Sequence, residues 1–246
     1  MPFHIVIPAR FRSSRLPGKP LKLLDGKPMV QHVYDLACGV SPASVCIATD
    51  DLRIVEACEH FGAPCYMTSA EHPSGTDRVA EVVRAKQFCN EDLVINVQGD
   101  EPLLNPNFIT LVARLLEEDE DAAVSTLSTY INSEQQLRDN SQVKVVADSR
   151  GYAMYFSRSP IPWYRSAPTT YDPYRKHIGI YAYRVSSLES IVRLPPCELE
   201  LAERLEQLRP LWHGMRIRVG VTDDATGREV NTPDDLAFVR ATMEAR

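Results

Sequence analysis

Four cations, Arg10, Arg12, Arg15 and Lys19, fall within ten positions, with Ser13, Ser14 and Gly18 among them. The stretch follows His4-Ile5-Val6-Ile7, a short apolar run that reads as a strand. A strand feeding a basic loop with Ser, Gly and Pro suits the binding of a polyphosphate. Its backbone N–H groups turn inward and its guanidinium groups pair with phosphate oxygens. The same residues also fit a solvated basic loop. A second candidate is Gln98-Gly99-Asp100-Glu101-Pro102, placed at the carboxyl end of the apolar run 93–97. Open α/β sheets bind ligands at the carboxyl ends of their strands. Acids there could hold Mg²⁺, which takes few carboxylates and keeps places for waters and phosphates. The alternative is an exposed turn.

Three further stretches carry polar groups at informative spacing. Ser74-Gly75-Thr76-Asp77-Arg78 has the S-x-x-D pattern of a helix N-cap. It reads either as a well-capped helix or as a helix N-terminus where Gly75 admits a ligand to unpaired N–H groups. Arg158 ends one strand-like run and His177 begins another. His177 reads as a ligand contact or as a structural histidine. Tyr181 and Tyr183 share one face of their strand. Within 198–209, Glu200, Glu203 and Glu206 read as a solvated face, with Leu201, Leu205 and Leu208 as the apolar stripe and Pro210 as the stop.

The elements that position these residues alternate in the first half. Strand 4–7 is followed by a turn at Asp25-Gly26-Lys27-Pro28 and a helix from Pro28 to Cys38. Strand 45–48, a helix around 54–61, strand 65–68, a helix after Ser74, strand 93–97 and helix 107–118 come next. Alternation of this kind favours a mostly parallel sheet covered by helices. The pattern then changes. Runs 123–129, 143–148, 152–156 and 178–183 are strand-like with little room for helices, which predicts antiparallel pairing or a projecting lobe. Prolines break up 159–176 as an excursion. Residues 215–221 form a strand. Thr232-Pro233 opens the last helix, as N-cap and first helical residue.

Composition narrows the function classes. A 44% apolar content in 246 residues supports a sizeable core. A net charge of −6 argues against nucleic acid as a partner. No apolar run approaches the ~20 residues that span a bilayer, so no membrane partner is expected. The N-terminus has no signal-peptide pattern. The cysteines, at 38, 46, 58, 65, 89 and 197, form no C-x-x-C and fit no zinc spacing. Cys38, Cys46 and Cys58 read as small buried hydrophobes. A reduced, cytoplasmic protein is expected.

The motifs together resemble one family. Pro8-Ala9-Arg10, Ser14-Arg15-Leu16-Pro17-Gly18-Lys19-Pro20, Ser74-Gly75-Thr76-Asp77-Arg78 and Asn96-Val97-Gln98-Gly99-Asp100-Glu101-Pro102 lead the match. Tyr155-Phe156-Ser157-Arg158, Lys176-His177-Ile178-Gly179-Ile180-Tyr181 and Leu205-Glu206-Gln207-Leu208-Arg209 make it specific. The chain is similar over nearly its whole length to the 3-deoxy-manno-octulosonate (Kdo) cytidylyltransferases. The resemblance implies transfer of CMP from CTP to Kdo with Mg²⁺, for the inner core of lipopolysaccharide. It implies one α/β nucleotidyltransferase domain over 1–246, with a mostly parallel, mixed sheet between helices. A sugar-side and dimerisation lobe is implied at about 130–215, and a homodimer.

By position, the resemblance implies nucleotide contacts at Ala9, Arg10, Ser14, Arg15, Lys19, Ser74, Gly75, Arg78 and Gln98. Catalysis falls to Arg10, Lys19 and Asp100. Sugar contacts fall to Arg158, His177, Tyr181, Glu206 and Gln207, and metal contacts to Asp100 and Asn231. Asn231 stands where the family pattern V-D-T-P-E-D-L has its first aspartate, which predicts weaker metal binding there. A stretch between Trp163 and His177 shorter than the family's is a second departure. The 8-amino analogue of Kdo as substrate, and a catalytically silent CTP-binding regulator, remain alternatives.

Overall fold

The computed structural model describes residues 2–13, 15–165, 170–224 and 227–245. The chain divides into two compact units, one of Met1–Thr110 with Ala225–Arg246 and one of Leu111–Asp224.

The first unit opens with β1 (Phe3–Ala9), then a hairpin of β2 (Leu23–Leu24) and β3 (Lys27–Pro28). Asp25 and Gly26 join the hairpin with φ of 44° and 75°, the paired positive φ of a type I′ turn. Next come α1 (Met29–Cys38), β4 (Ser44–Thr49), α2 (Leu52–His60), β5 (Cys65–Met67), α3 (Gly75–Lys86) and β6 (Leu93–Asn96). β1 pairs in parallel with β4 and with β6, and β4 in parallel with β5. Ile5 faces Val45 on one side and Ile95 on the other. These runs are apolar throughout because both faces are covered, and Ile5, Val6, Ile7, Ile47 and Ile95 are wholly buried. Pro28 caps α1 from outside rather than starting it, and Cys38 at the end of that helix is exposed, against expectation. The apolar face of α1 is carried by Met29, Val30, Val33 and Ala37, which leaves its last position facing solvent.

α4 (Pro106–Glu117) begins in the first unit and ends in the second. The second unit continues with β7 (Val124–Tyr130), α5 (Glu134–Arg138), β8 (Lys144–Ala147), β9 (Ala153–Ser157) and β10 (Arg175–Arg184). It closes with α6 (Val185–Ile191), α7 (Glu198–Glu203), α8 (Leu208–Trp212) and β11 (Ile217–Val221). β7 pairs in parallel with β11 and antiparallel with β10, while β8 runs antiparallel to both β9 and β10. The change from parallel to antiparallel pairing falls where the helical spacers ran out in the sequence. Within the excursion 159–176, Tyr164 and Tyr171 pack against a small core of Ile131, Leu137 and Tyr174.

The expected single helix over 198–209 is two helices. α7 ends at Arg204, which adopts φ 53°, and Pro210 sits inside the first turn of α8 instead of stopping a helix. Proline costs nothing in a first turn, because the N–H it lacks has no helical partner there. The break also exposes Leu201, while Leu205 and Leu208 are buried. α9 (Pro233–Glu244) returns to the first unit, capped by Thr232 in a reciprocal box with Asp235.

Candidate active site

In the first unit the basic loop is pinned by its buried leucine. Leu16 joins a core cluster with Leu24, Met29, Val230, Leu236 and Val239. Gly18 then turns at φ 66°, its N–H donating to Phe11 O at 3.1 Å. This delivers Lys19, whose Nζ donates to Asp100 Oδ2 at 2.5 Å and Asn231 Oδ1 at 3.2 Å. Asp100 follows Gly99, where a side chain is not tolerated: a Cβ there would sit 2.8 Å from Pro8 O. Asn231 is brought in by the buried Val230, whose N–H donates to Asp100 O at 2.9 Å.

Two acids hold Asn231 in place. Its backbone N–H donates to Asp235 Oδ2 at 3.1 Å, and its side-chain Nδ2 donates to Glu229 Oε2 at 2.6 Å. The second bond aims Oδ1 at Lys19. Burial works to raise the Asp235 pKa, but hydrogen bonds from Thr232, Asn231 and Arg228 outweigh it and hold the carboxyl below its usual range. Asp100 and Asn231 thus present two hard oxygens to one positive charge, a donor set that suits Mg²⁺. Among the described residues, no three His, Cys, Asp or Glu gather to hold a metal alone. Phosphate and water oxygens would complete such a shell.

Other nucleotide-side positions lie in the same unit. Arg10 Nη2 donates to His72 O at 2.9 Å. Arg15 is exposed and, among the described residues, makes no ion pair. Ser14 lies outside the described residues. Ala9 is buried at the end of β1. Ser74 caps α3, accepting from Asp77 N at 3.1 Å and donating to Asp77 Oδ2 at 2.6 Å. A Cβ on Gly75 would meet only the Pro8 ring, Cγ at 3.5 Å and Cβ at 3.8 Å, ordinary contacts, so the protein's own packing does not demand glycine there. Gln98 is half-buried, with Nε2 3.4 Å from Asn96 Oδ1. Arg78 is wholly buried, donating to Thr68 Oγ1 and to Asp50 Oδ2 at 3.0 Å. Burial lowers its pKa and Asp50 opposes this. Its guanidinium ties Thr68, just after β5, to Asp50, just after β4.

The sugar-side positions lie in the second unit. Arg158 is held by Glu203, whose Oε2 accepts from the Arg158 backbone N–H at 2.9 Å and whose backbone O accepts from Nε at 2.8 Å. Arg158 Nη1 reaches Asn140 O at 3.0 Å. The fully buried Lys144 grips the same turn, donating to Asp139 O at 2.9 Å and Gln142 O at 2.6 Å. His177 is buried, with the edge of Phe156 at 5.1 Å and Tyr181 at 5.4 Å between ring centres. Tyr181 and Tyr183 stack at 6.0 Å, as their shared face implied. Gln207 is buried and Glu206 exposed. Of the three acids read as a solvated face, Glu206 is exposed, but Glu200 is buried in a two-pronged pair with Arg209, at 2.8 and 2.5 Å. Glu203 also accepts from Ser157 Oγ at 2.6 Å.

A model of the cytidylyltransferase family matches residues 4–217. The 3-deoxy-manno-octulosonate cytidylyltransferase of Halorhodospira halophila is 47% identical, over 99% of this chain and 97% of its own. That of Vibrio campbellii is 50% identical, over 98% and 97%. The chain belongs to the 3-deoxy-manno-octulosonate cytidylyltransferase family. A solved CMP:2-keto-3-deoxy-manno-octonic acid synthetase complexed with CTP superposes with a TM-score of 0.92 at 45% identity, covering 100% of this chain and 99% of that one.

Within this family fold, Glu203, Glu229, Lys144 and Thr126 were not singled out by sequence reasoning as positioning residues. Glu229 sits two residues from Asn231, and that proximity was the one available signal. The others act across 45 residues or more, or on backbone carbonyls, where no motif announces them.

Proposed function

We propose that this chain transfers CMP from CTP to Kdo, releasing pyrophosphate and giving CMP-Kdo. The observation that carries the proposal is the placement of Lys19, from the loop after β1, between Asp100 of the loop after β6 and Asn231 just before α9. This is a charge-neutralising site built for an anion and a cation together. Both reactants are anions, so catalysis rests on positioning and charge neutralisation. Arg10, Arg15 and Lys19 bind the triphosphate. Lys19 stabilises negative charge on the departing pyrophosphate, moving from Asp100 toward phosphate oxygen. Asp100 and Asn231 would hold Mg²⁺, whose bound form neutralises phosphate charge and makes a nearby hydroxyl more acidic. Ser74 and Gly75 offer the N-terminus of α3 to the nucleotide.

On the sugar side, Arg158, His177, Tyr181, Glu206 and Gln207 bind the acid and its hydroxyls. The sugar's anomeric hydroxyl attacks the α-phosphorus in line, its proton is lost, and the bond to the β-phosphate oxygen breaks. No covalent enzyme intermediate is needed. Family membership supports the remainder of the reading: a cytoplasmic homodimer supplying lipopolysaccharide inner-core synthesis. No helix of the described residues is long and apolar enough to cross a membrane.

Pyrophosphate release from CTP and Mg²⁺ with Kdo, or with its 8-amino analogue, tests the proposal. Release with Kdo is expected. Release with the analogue alone would move the substrate, and release with neither would leave a CTP-binding regulator.

A further inference from the structure

Thr126, on β7, is wholly buried, and its hydroxyl oxygen meets three polar atoms. His177 Nε2 lies at 2.9 Å, Ile180 O at 2.8 Å and Ile178 O at 3.1 Å. Both carbonyls come within reach because the β7–β10 register shifts between Ile178 and Tyr181, a bulge that sets Tyr181 opposite Thr126. Carbonyl oxygens only accept hydrogen bonds, and a hydroxyl has one proton to give. That proton goes to the carbonyls. What the hydroxyl offers His177 is then a lone pair, and Nε2 must be the nitrogen that carries hydrogen. The opposite tautomer would draw the hydroxyl proton to Nε2. It would leave two buried carbonyls facing a bare oxygen, a bias of more than about tenfold against it.

We propose that Thr126 is a positioning residue that fixes His177 as its Nε2–H tautomer. His177 Nδ1 is thereby reserved as an acceptor for a hydroxyl of the sugar and rejects its carboxylate. The proposal rests on the sugar-side reading of His177. No described residue donates to Nδ1, and Nδ1 is not among the buried polar atoms left without a partner. Burial, with a smaller push from Lys176, lowers the imidazole pKa to about 3, so the ring of the ligand-free chain is neutral at pH 7. An imidazole that can only accept at its reachable nitrogen reads O–H donors. The sugar's carboxylate is then left to a cation, and Arg158 is the candidate.

The test labels histidine with ¹⁵N and reads the two ring nitrogens of His177 by two-bond proton–nitrogen correlation, with assignment by the spectrum of His177→Gln. The intact protein is expected to show Nε2 protonated and Nδ1 bare, as is Thr126→Ser. Thr126→Val should show mixed or reversed tautomers, with KM for Kdo raised about tenfold, KM for CTP unchanged, and recovery in Thr126→Ser. A bare Nε2 in the intact protein overturns the tautomer assignment. A shifted tautomer in Thr126→Val with unchanged KM for Kdo overturns the sugar-side role of His177 and leaves the tautomer assignment standing.

Discussion

Replacing Asn231 by aspartate adds one negative charge to a cluster that already holds Lys19, Asp100 and Glu229. The new carboxylate oxygen would lie 3.2 Å from Lys19 Nζ, a gain of about 2.6 kcal/mol at an effective dielectric of about 40. It would lose the Asn231 Nδ2 bond and face Glu229 Oε2 at 2.6 Å, a repulsion of about 3 kcal/mol on the same scale. Glu229 is exposed and can swing away, which reduces that repulsion toward the ~1 kcal/mol of a surface pair. Asp100 adds repulsion of at least about 1.5 kcal/mol, since the two Lys19 bonds laid end to end set an upper limit of about 5.7 Å on its separation. These contributions nearly cancel, so the metal-free variant should match the parent in stability within about 1 kcal/mol. A divalent cation breaks the balance, because a full charge replaces an amide dipole at its ligand. Mg²⁺ affinity should rise at least about tenfold, equal to ~1.4 kcal/mol. The assay is thermal unfolding against Mg²⁺ concentration, with and without CTP. A Mg²⁺ midpoint within about twofold of the parent's would refute the assignment of Asn231 as a metal contact.

Lys19→Ala should lower kcat by about 10²–10³-fold, as loss of a donor to developing charge does; steady-state pyrophosphate release measures it, and a near-normal kcat removes the role given to Lys19. Arg209→Leu strands the buried Glu200 carboxylate and should cost about 3–5 kcal/mol in urea unfolding, whereas the paired change Glu200→Gln with Arg209→Leu should recover much of it. His177 carries a depressed pKa of about 3 when folded and about 6.5 when unfolded. The unfolded chain therefore takes up the proton first. The stability from this group is whole above about pH 6.5 and falls by up to ~1.4 kcal/mol per pH unit as pH drops toward 3. His177→Phe should flatten that slope. Parallel pH dependences of unfolding free energy for parent and variant would contradict it.

Much of the site was legible in the sequence because its determinants are local. The Ser74 and Thr232 caps are bonds across three residues. The Asp25-Gly26 turn is a dipeptide with its own φ preference. The runs 4–7 and 93–97 are apolar enough to be buried strands in any parallel sheet, so Arg10 and Asp100 had to emerge at strand ends. Misreadings arose where a local rule met a distant partner. Pro210 stops a helix only if one is in progress, and Arg204 had already ended it. Glu200 passed for a surface acid because its partner, Arg209, lies beyond the break.

The sequence by itself determined the chemical kinds present: cations in a loop after a strand, an acid after a glycine, an amide just before the last helix. Tertiary structure decided which of them meet. Lys19 reaches Asp100 across 81 positions and Asn231 across 212, and Thr126 reaches His177 across 51. Pairings at such separations follow from sheet register and core packing, which close only when the whole chain is folded. The tautomer of His177 is likewise a property of the fold, because the bulge in β10 supplies the carbonyls that claim the Thr126 proton.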